Sequence, residues 1–233
     1  MNHTLFLRIA ASGFAALLLI APSLGQSASF TGRVHSVSDG DTIILERSLP
    51  APLSTREVRL VSIDAPETFF VDGVPAGDQV VHGRASRDAL RSLLPRGTQV
   101  TIVTDRIQTD AFGRVLGHVY RGSLNLNAEM LRRGHAVTYV RWPNSYSRFT
   151  AHRAALQEAR LAGRGMWNPT NPIDELPFEY RLRVNERTNT RYFGDFSTKT
   201  FVRPADYRRI PVEQRLSFAS AAEAGSAGYR LQP

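Results

Sequence analysis

The order of the apolar segments predicts a mainly β fold with helices: a small closed barrel of the OB type, with helices packed against it. Three observations carry this reading. Five short runs with strand-like alternation are separated by turn chemistry. One segment of helical period interrupts them after the third run, and two more follow the fifth. An antiparallel sheet packed on helices fits the same pattern, and periodicity alone does not separate the two. At 233 residues the chain suffices for one ample core plus an appendage, or at most two domains.

In order, Gly32 to Val37 reads as a first strand and Thr42 to Glu46 as its hairpin partner, with Asp39-Gly40 as turn chemistry between them. A polar loop, Arg47 to Thr55, leads to "EVRLVSID", Glu57 to Asp64, a third strand stopped by Pro66. "TFFVDGVPAG" is a loop with exposed aromatics. From Asp78 to Leu94 the positions Val81, Ala85, Ala89 or Leu90, and Leu93 are spaced for the buried face of a helix. "TQVTIVTD" and "RVLGHVYR" are the last two strands, "LNAEMLRRG" is a short helix ending at Gly134, and a final helix spans roughly Tyr146 to Leu161.

Composition narrows the function classes. Hydrophobic residues make up 42% and charged residues 21%, an ordinary globular balance. Residues 1–25, with Arg8 before an apolar run and small residues around Gly25, are expected to be a secretory signal peptide. The product is then exported, to the periplasm or outside the cell, with no membrane span in the mature protein. Losing Arg8 lowers the formal charge from +8 to +7, which still suits a polyanionic partner such as nucleic acid. Lys199 is the sole lysine, so this charge is almost entirely arginine. There is no cysteine, which excludes thiolate catalysis and cysteine–zinc sites.

Three clusters could carry chemistry: Asp39 and Asp41 at the first hairpin, "RLVSIDAPET" with Arg59, Asp64 and Glu67, and "TDAFGR" with Asp110 and Arg114. Asp41 stands where a strand should already have begun and where Asp is disfavoured. Arg59 and Asp64 are five apart on one strand, so they face opposite sides unless a bulge intervenes. Should the hairpin bring Asp41 beside Asp64 and Glu67, the carboxylates would repel one another. A hard cation such as Ca²⁺ removes that conflict, and the arginines add planar forks for phosphate. Taken one by one these residues read equally well as turn formers and surface ion pairs. Together they support a basic OB-like protein with an acidic metal site.

"DGDT", "RLVSIDAPET" and "DAFGR" occur in the order and spacing of the thermonuclease, or staphylococcal nuclease-like, family. The resemblance runs from about Phe30 to Asn168 and includes "LNAEMLRRGHA" and "GMW". It implies a five-stranded OB-fold barrel plus three α-helices, acting as a monomer in Ca²⁺-dependent endonucleolytic hydrolysis of DNA and RNA. It further implies that Asp41 and Asp64 ligate Ca²⁺, that Ala65 offers its backbone carbonyl, and that Asp39 is a supporting carboxylate. Glu67 would activate or orient the attacking water, while Arg59 and Arg114 hold the scissile phosphate. Tyr139 matches a substrate-facing tyrosine of the family. Arg141-Trp142 replaces a second one, leaving Trp142 as a candidate for stacking a base.

Past Asn168 the texture changes. Residues 169–177 read as a linker, and residues 178–233 as an accessory module of uncertain fold. "GDFSTKTF" and the residues around "PADY" faintly resemble a module that follows some secreted nucleases and occurs in metal-binding repair modules. Those usually carry cysteines, which are absent here. The principal rival to a nuclease is an OB-fold module that binds nucleic acid without cleaving it.

Overall fold

The computed structural model describes residues 27–70, 72–144 and 146–233. The expected signal peptide lies outside the described residues. Strand β1 (Ser29–Asp39) pairs antiparallel with β2 (Thr42–Leu45), and β2 pairs with β3 (Glu57–Leu60). A two-residue strand, β4 (Ile63–Asp64), continues the direction of β3 after a break. Helix α1 (Gln79–Leu93) precedes β5 (Gln99–Thr109) and β6 (Val115–Arg121). β5 pairs with both β1 and β6, and a parallel pairing of Val58 with Val115 joins β3 to β6 and closes the barrel. The five-stranded barrel that the sequence predicts is therefore formed.

Its interior is filled by inward-facing aliphatics such as Val34, Ile43, Leu45, Val58, Leu60, Ile102, Val115 and Val119, all buried. β1 carries two register shifts, one between Val34 and Ser36 and one between Val37 and Asp39. Such bulges bend a strand tightly enough for a small barrel to close.

β7 (Leu124–Asn125) leads into α2 (Leu126–Arg132), capped by the Asn125 side chain accepting from the Ala128 amide. β8 (Val137–Thr138), which pairs with β4, and β9 (Val140–Arg141) precede α3 (Phe149–Leu161). The predicted start of α3 at Tyr146 is a turn of tighter helix preceding Phe149.

Helix α1 buries Leu90 and Leu93 as expected, while its first half differs from expectation in phase. Val81 is 60% exposed, while Gln79, His82, Gly83, Ser86, Leu90 and Leu93 face inward. The first half of this helix packs against polypeptide backbone rather than against aliphatic side chains. A Cβ added at Gly83 would lie 2.1 Å from the Glu67 carbonyl oxygen, and Ser86 Oγ donates to the His135 carbonyl at 2.7 Å. Small and polar residues mark that face, so a count of apolar positions selects the wrong one.

Beyond the barrel, residues 169–176 lie along it, with Ile173 and Leu176 packed on its core. Then come α4 (Pro177–Val184), β10 (Tyr192–Asp195), β11 (Thr200–Val202), β12 (Arg215–Phe218), α5 (Ala221–Ser226) and β13 (Arg230–Leu231). These strands form a second sheet in the order β13-β11-β10-β12-β9. Its last member, β9, comes from the barrel half of the chain and pairs parallel with β12 through Leu216–Val140. Two apolar clusters flank this sheet, one around Phe149, Leu216 and Phe218 and the other around Phe178, Phe193 and Tyr207.

Candidate active site

The first hairpin delivers two carboxylates. Asp39 Oδ1 accepts the Asp41 amide at 3.0 Å, which ties the turn. Gly40 serves a further need: a Cβ there would lie 2.6 Å from the Cβ atoms of both Ala65 and Ser86. The hairpin tip is thereby pressed against the end of β4. Asp41, 5% exposed, accepts the Ala65 amide on Oδ2 at 2.6 Å.

Asp64 arrives by a backbone irregularity. Strand pairing stops at Leu60, and Ser62 adopts a left-handed conformation with φ 68° before β4 resumes. That break brings Arg59 and Asp64 together although they are five apart: Arg59 Nη2 lies 3.0 Å from Asp64 Oδ1, and Arg59 Nη1 lies 2.8 Å from Asp41 Oδ2. One guanidinium thus spans two buried carboxylates, the planar two-pronged contact that arginine allows. Asn127, fully buried on α2, secures the break. Its Nδ2 donates to the Val61 carbonyl at 2.8 Å and to the Gly117 carbonyl at 3.2 Å, and its Oδ1 accepts the Val119 amide at 2.9 Å.

Glu67 follows Pro66 and is held from behind by α1, where Gln79 Oε1 accepts its amide at 3.4 Å. Burial pushes the Glu67 carboxyl above the ordinary glutamate range, with Asp64 reinforcing that rise and Arg181 opposing it. Burial likewise pushes Asp41 well above the ordinary aspartate range; Arg59 opposes this, while Asp39 and Asp64 add to it. Two buried carboxylates side by side call for positive charge.

Apart from Asp64, which is fully buried behind Arg59, these groups line one wall of a cavity of about 550 Å³. The opposite wall is the β5–β6 turn. There Arg114 Nε donates to Asp110 Oδ2 at 2.8 Å, and its guanidinium lies 5.4 Å from the centre of the Phe112 ring. Phe112 is 84% exposed at the turn tip. Arg59, Arg114, Asp39, Asp41, Ala65, Glu67 and Tyr139 all face this space. Trp142 is not among the lining residues; its ring lies 6.0 Å from Phe218 in the second sheet's core. Arg141 takes its place at the cavity and donates to the Tyr139 hydroxyl at 3.0 Å. Tyr139 itself stacks on Phe178.

One contributor was not legible in the sequence. Arg181 of α4 reaches the site and pairs with Asp64 Oδ2 at 2.8 Å and with Glu67 Oε1 at 2.5 Å. Among the described residues no three His, Cys, Asp or Glu side chains are grouped closely enough to hold a metal by themselves. What the site offers a cation is two carboxylates and the Ala65 backbone. That oxygen-only set fits a hard ion, which completes its shell with carbonyls and water.

Arg59, Asp64, Glu67 and Arg114 all fall within residues 57–169, the segment that matches the model of the staphylococcal nuclease homologue family. Over 155 residues the chain is 34% identical to an uncharacterized endonuclease of Escherichia coli, covering 66% of this chain and 88% of that protein. The chain belongs to the staphylococcal nuclease homologue family. A counterpart in Haemophilus influenzae, also an uncharacterized endonuclease, is 30% identical over 155 residues, 66% of this chain and 76% of its own. Endonuclease YhcR of Bacillus subtilis is 40% identical over 204 residues. That match takes in 86% of this chain, too much to fit within residues 1–177, so it extends into the C-terminal segment. This chain spans 16% of that much longer protein. Family and relatives together support nuclease activity.

Proposed function

We propose that the protein is an exported, Ca²⁺-dependent endonuclease that hydrolyses phosphodiester bonds of DNA and RNA with little sequence specificity. The observation that carries this reading is Asp41 and Glu67 on one wall of a cavity whose other wall bears Arg114, with Arg59 bridging Asp41 to the fully buried Asp64 directly behind that wall. The formal charge, +8 for the full chain and +7 without Arg8, favours a polyanionic substrate.

Asp41, Asp64 and the Ala65 carbonyl would hold the cation, and Asp39 would add negative charge at its edge. When bound, the cation supplies positive charge to the scissile phosphate. Arg59 and Arg114 grip the phosphate oxygens from opposite sides and stabilise the charge that develops on them. Glu67, its carboxylate made more basic by burial, accepts the proton of the attacking water. The exposed Phe112 offers an aromatic face to a neighbouring base, a contact tolerant of sequence, and Tyr139, its ring stacked on Phe178, lines the cavity for substrate contact.

Incubation of the purified protein with plasmid, single-stranded DNA and RNA, with Ca²⁺ or with a chelator, tests the reading. Cleavage of all three in Ca²⁺ and none in chelator is expected. Failure to cleave under any metal condition would leave a binding module, and chelator-resistant cleavage would overturn the mechanism. Export is tested by comparing N-terminal sequences of the protein recovered from cell and from medium or periplasm; an intact Met1 in all fractions would refute it.

A further inference from the structure

Arg181 belongs to the C-terminal segment, 117 residues from Asp64 and 114 from Glu67. Its helix is firmly seated. Phe178 and Tyr180 are buried on one side, and the Tyr180 hydroxyl donates to the Phe69 carbonyl at 3.2 Å. Arg183 closes an ion pair with Glu175, and Asn185 Nδ2 donates back to the Arg181 carbonyl at 2.7 Å. The backbone is anchored, while a long side chain with several rotatable bonds spans the gap to the site.

Its two contacts divide the labour. One arm takes Asp64 Oδ2, and the other takes Glu67 Oε1. Arg59 already occupies Asp64 Oδ1. Both oxygens of Asp64 are therefore engaged by guanidinium groups, and a cation approaching this carboxylate competes with their positive charge. Arg59 rises from a barrel strand, is 14% exposed and also holds Asp41. Arg181 is 32% exposed and stands at the mouth, so it is the one free to yield.

We propose that Arg181 is a positioning residue of the active site, supplied by the C-terminal segment: a tethered cation that competes with the divalent ion for Asp64 and keeps Glu67 in register. The inference rests on the assignment of Asp41 and Asp64 as the cation's carboxylates. As the ion loads, Arg181 releases Asp64 but retains Glu67, so the base stays aimed while the charge is exchanged. Two opposite consequences follow from removing the guanidinium. Cation affinity rises because a repelling charge beside the binding carboxylate has gone. Turnover falls because Glu67 loses its partner.

The test is calcium titration by calorimetry on the full chain, comparing wild type with Arg181→Met, which keeps an apolar stem beside Tyr139, and Arg181→Lys, which keeps the charge. Arg208→Met, which removes an arginine paired with Glu179 and 70% exposed, controls for net charge. For Arg181→Met the expected result is a calcium Kd lower by about tenfold or more, together with a lower kcat. Arg181→Lys should fall between it and wild type, and Arg208→Met should match wild type. A merely structural role would lower calcium affinity along with activity. An unchanged or weaker calcium Kd in an Arg181→Met protein with native near-ultraviolet dichroism overturns the proposal and leaves the metal site standing. Absence of calcium binding in every variant would overturn the metal assignment and this inference with it.

Discussion

Two buried histidines make stability depend on acid in a way that can be calculated. His152 on α3 is fully buried, and neither ring nitrogen has a hydrogen-bond partner among the described residues. Its ring centre lies 5.5 Å from that of His118 on β6. Burial, with nearby Arg148, pushes His152 down to about 4. His118 is pushed down to about 2 by burial, by His152 and by Arg148, although the Asp105 carboxylate lies 4.0 Å from its Nε2. In the unfolded chain a histidine titrates near 6.5, so below that pH the unfolded state takes up a proton that the native state refuses. Stability is therefore lost as pH falls from about 6.5 towards 4, where His152 also charges in the fold. At pH 5 the cost from His152 alone is about 2 kcal/mol. The perturbation is His152→Leu, which removes the proton site and leaves an apolar side chain of similar bulk. Urea unfolding followed by circular dichroism at pH 7, 6 and 5 reads the effect. Wild type should lose about 2 kcal/mol more than the variant between pH 7 and pH 5. Asp41 and Glu67, whose raised values favour the fold in acid, contribute equally to both proteins and cancel. Equal pH slopes, or a His152 ring proton titrating near 6.5 in the native protein, would refute the reasoning.

Three other perturbations probe the site and its support. Glu67→Gln should lower kcat by about 10²–10⁴-fold with little change in the Kd for single-stranded DNA; equal losses in both would mean that Glu67 is structural. In the wild-type profile of kcat/KM, the acid limb should lie above the ordinary glutamate range, since burial raises Glu67. Arg59→Met leaves Asp41 and Asp64 without their shared partner, so in chelator unfolding should show a loss of about 3–5 kcal/mol. Calcium should restore part of it, and a loss indifferent to calcium would contradict the cation assignment. Asn127→Leu takes the side-chain partner from the Val61 carbonyl and the Val119 amide, while the Gly117 carbonyl keeps the Val61 amide, and should cost about 2–3 kcal/mol in urea; a loss below about 1 kcal/mol would show that those groups find other partners.

What the sequence revealed and what it hid follow from the range of the interactions. The barrel was legible because each strand alternates and each turn carries its own glycine or proline, all local properties. Asp41 was legible as an anomaly, a carboxylate where a strand begins. Its pairing with Asp64 was obscured by Arg59 and Asp64 standing at odd spacing on what reads as one strand. The left-handed Ser62 resolves this, and serine gives no signal of such a turn. The buried face of α1 is legible at Leu90 and Leu93 but not in the first half of the helix, where Gly83 and Ser86 serve close backbone approach rather than apolar contact. Asn127 looks like any polar residue on a short helix, yet it binds three backbone groups of the barrel. Arg181 could not be found at all: one arginine among many acquires meaning only from a fold that crosses more than a hundred residues.

The parallel pairing of β9 with β12 sets a timetable. A ribosome releases Val140 well before Ser217, whose hydroxyl caps the Val140 carbonyl from 77 residues further along. When the last barrel strand has emerged, Asp41, Asp64 and Glu67 have been made, but β12, the partner of β9, and Arg181 have not. The order of translation thus supplies the carboxylates first and the guanidinium that pairs with them later. A chain halted before α4 would carry an open strand edge and surplus negative charge in its cleft. Early termination would for that reason yield a sticky, mis-charged fragment rather than a smaller version of the same enzyme.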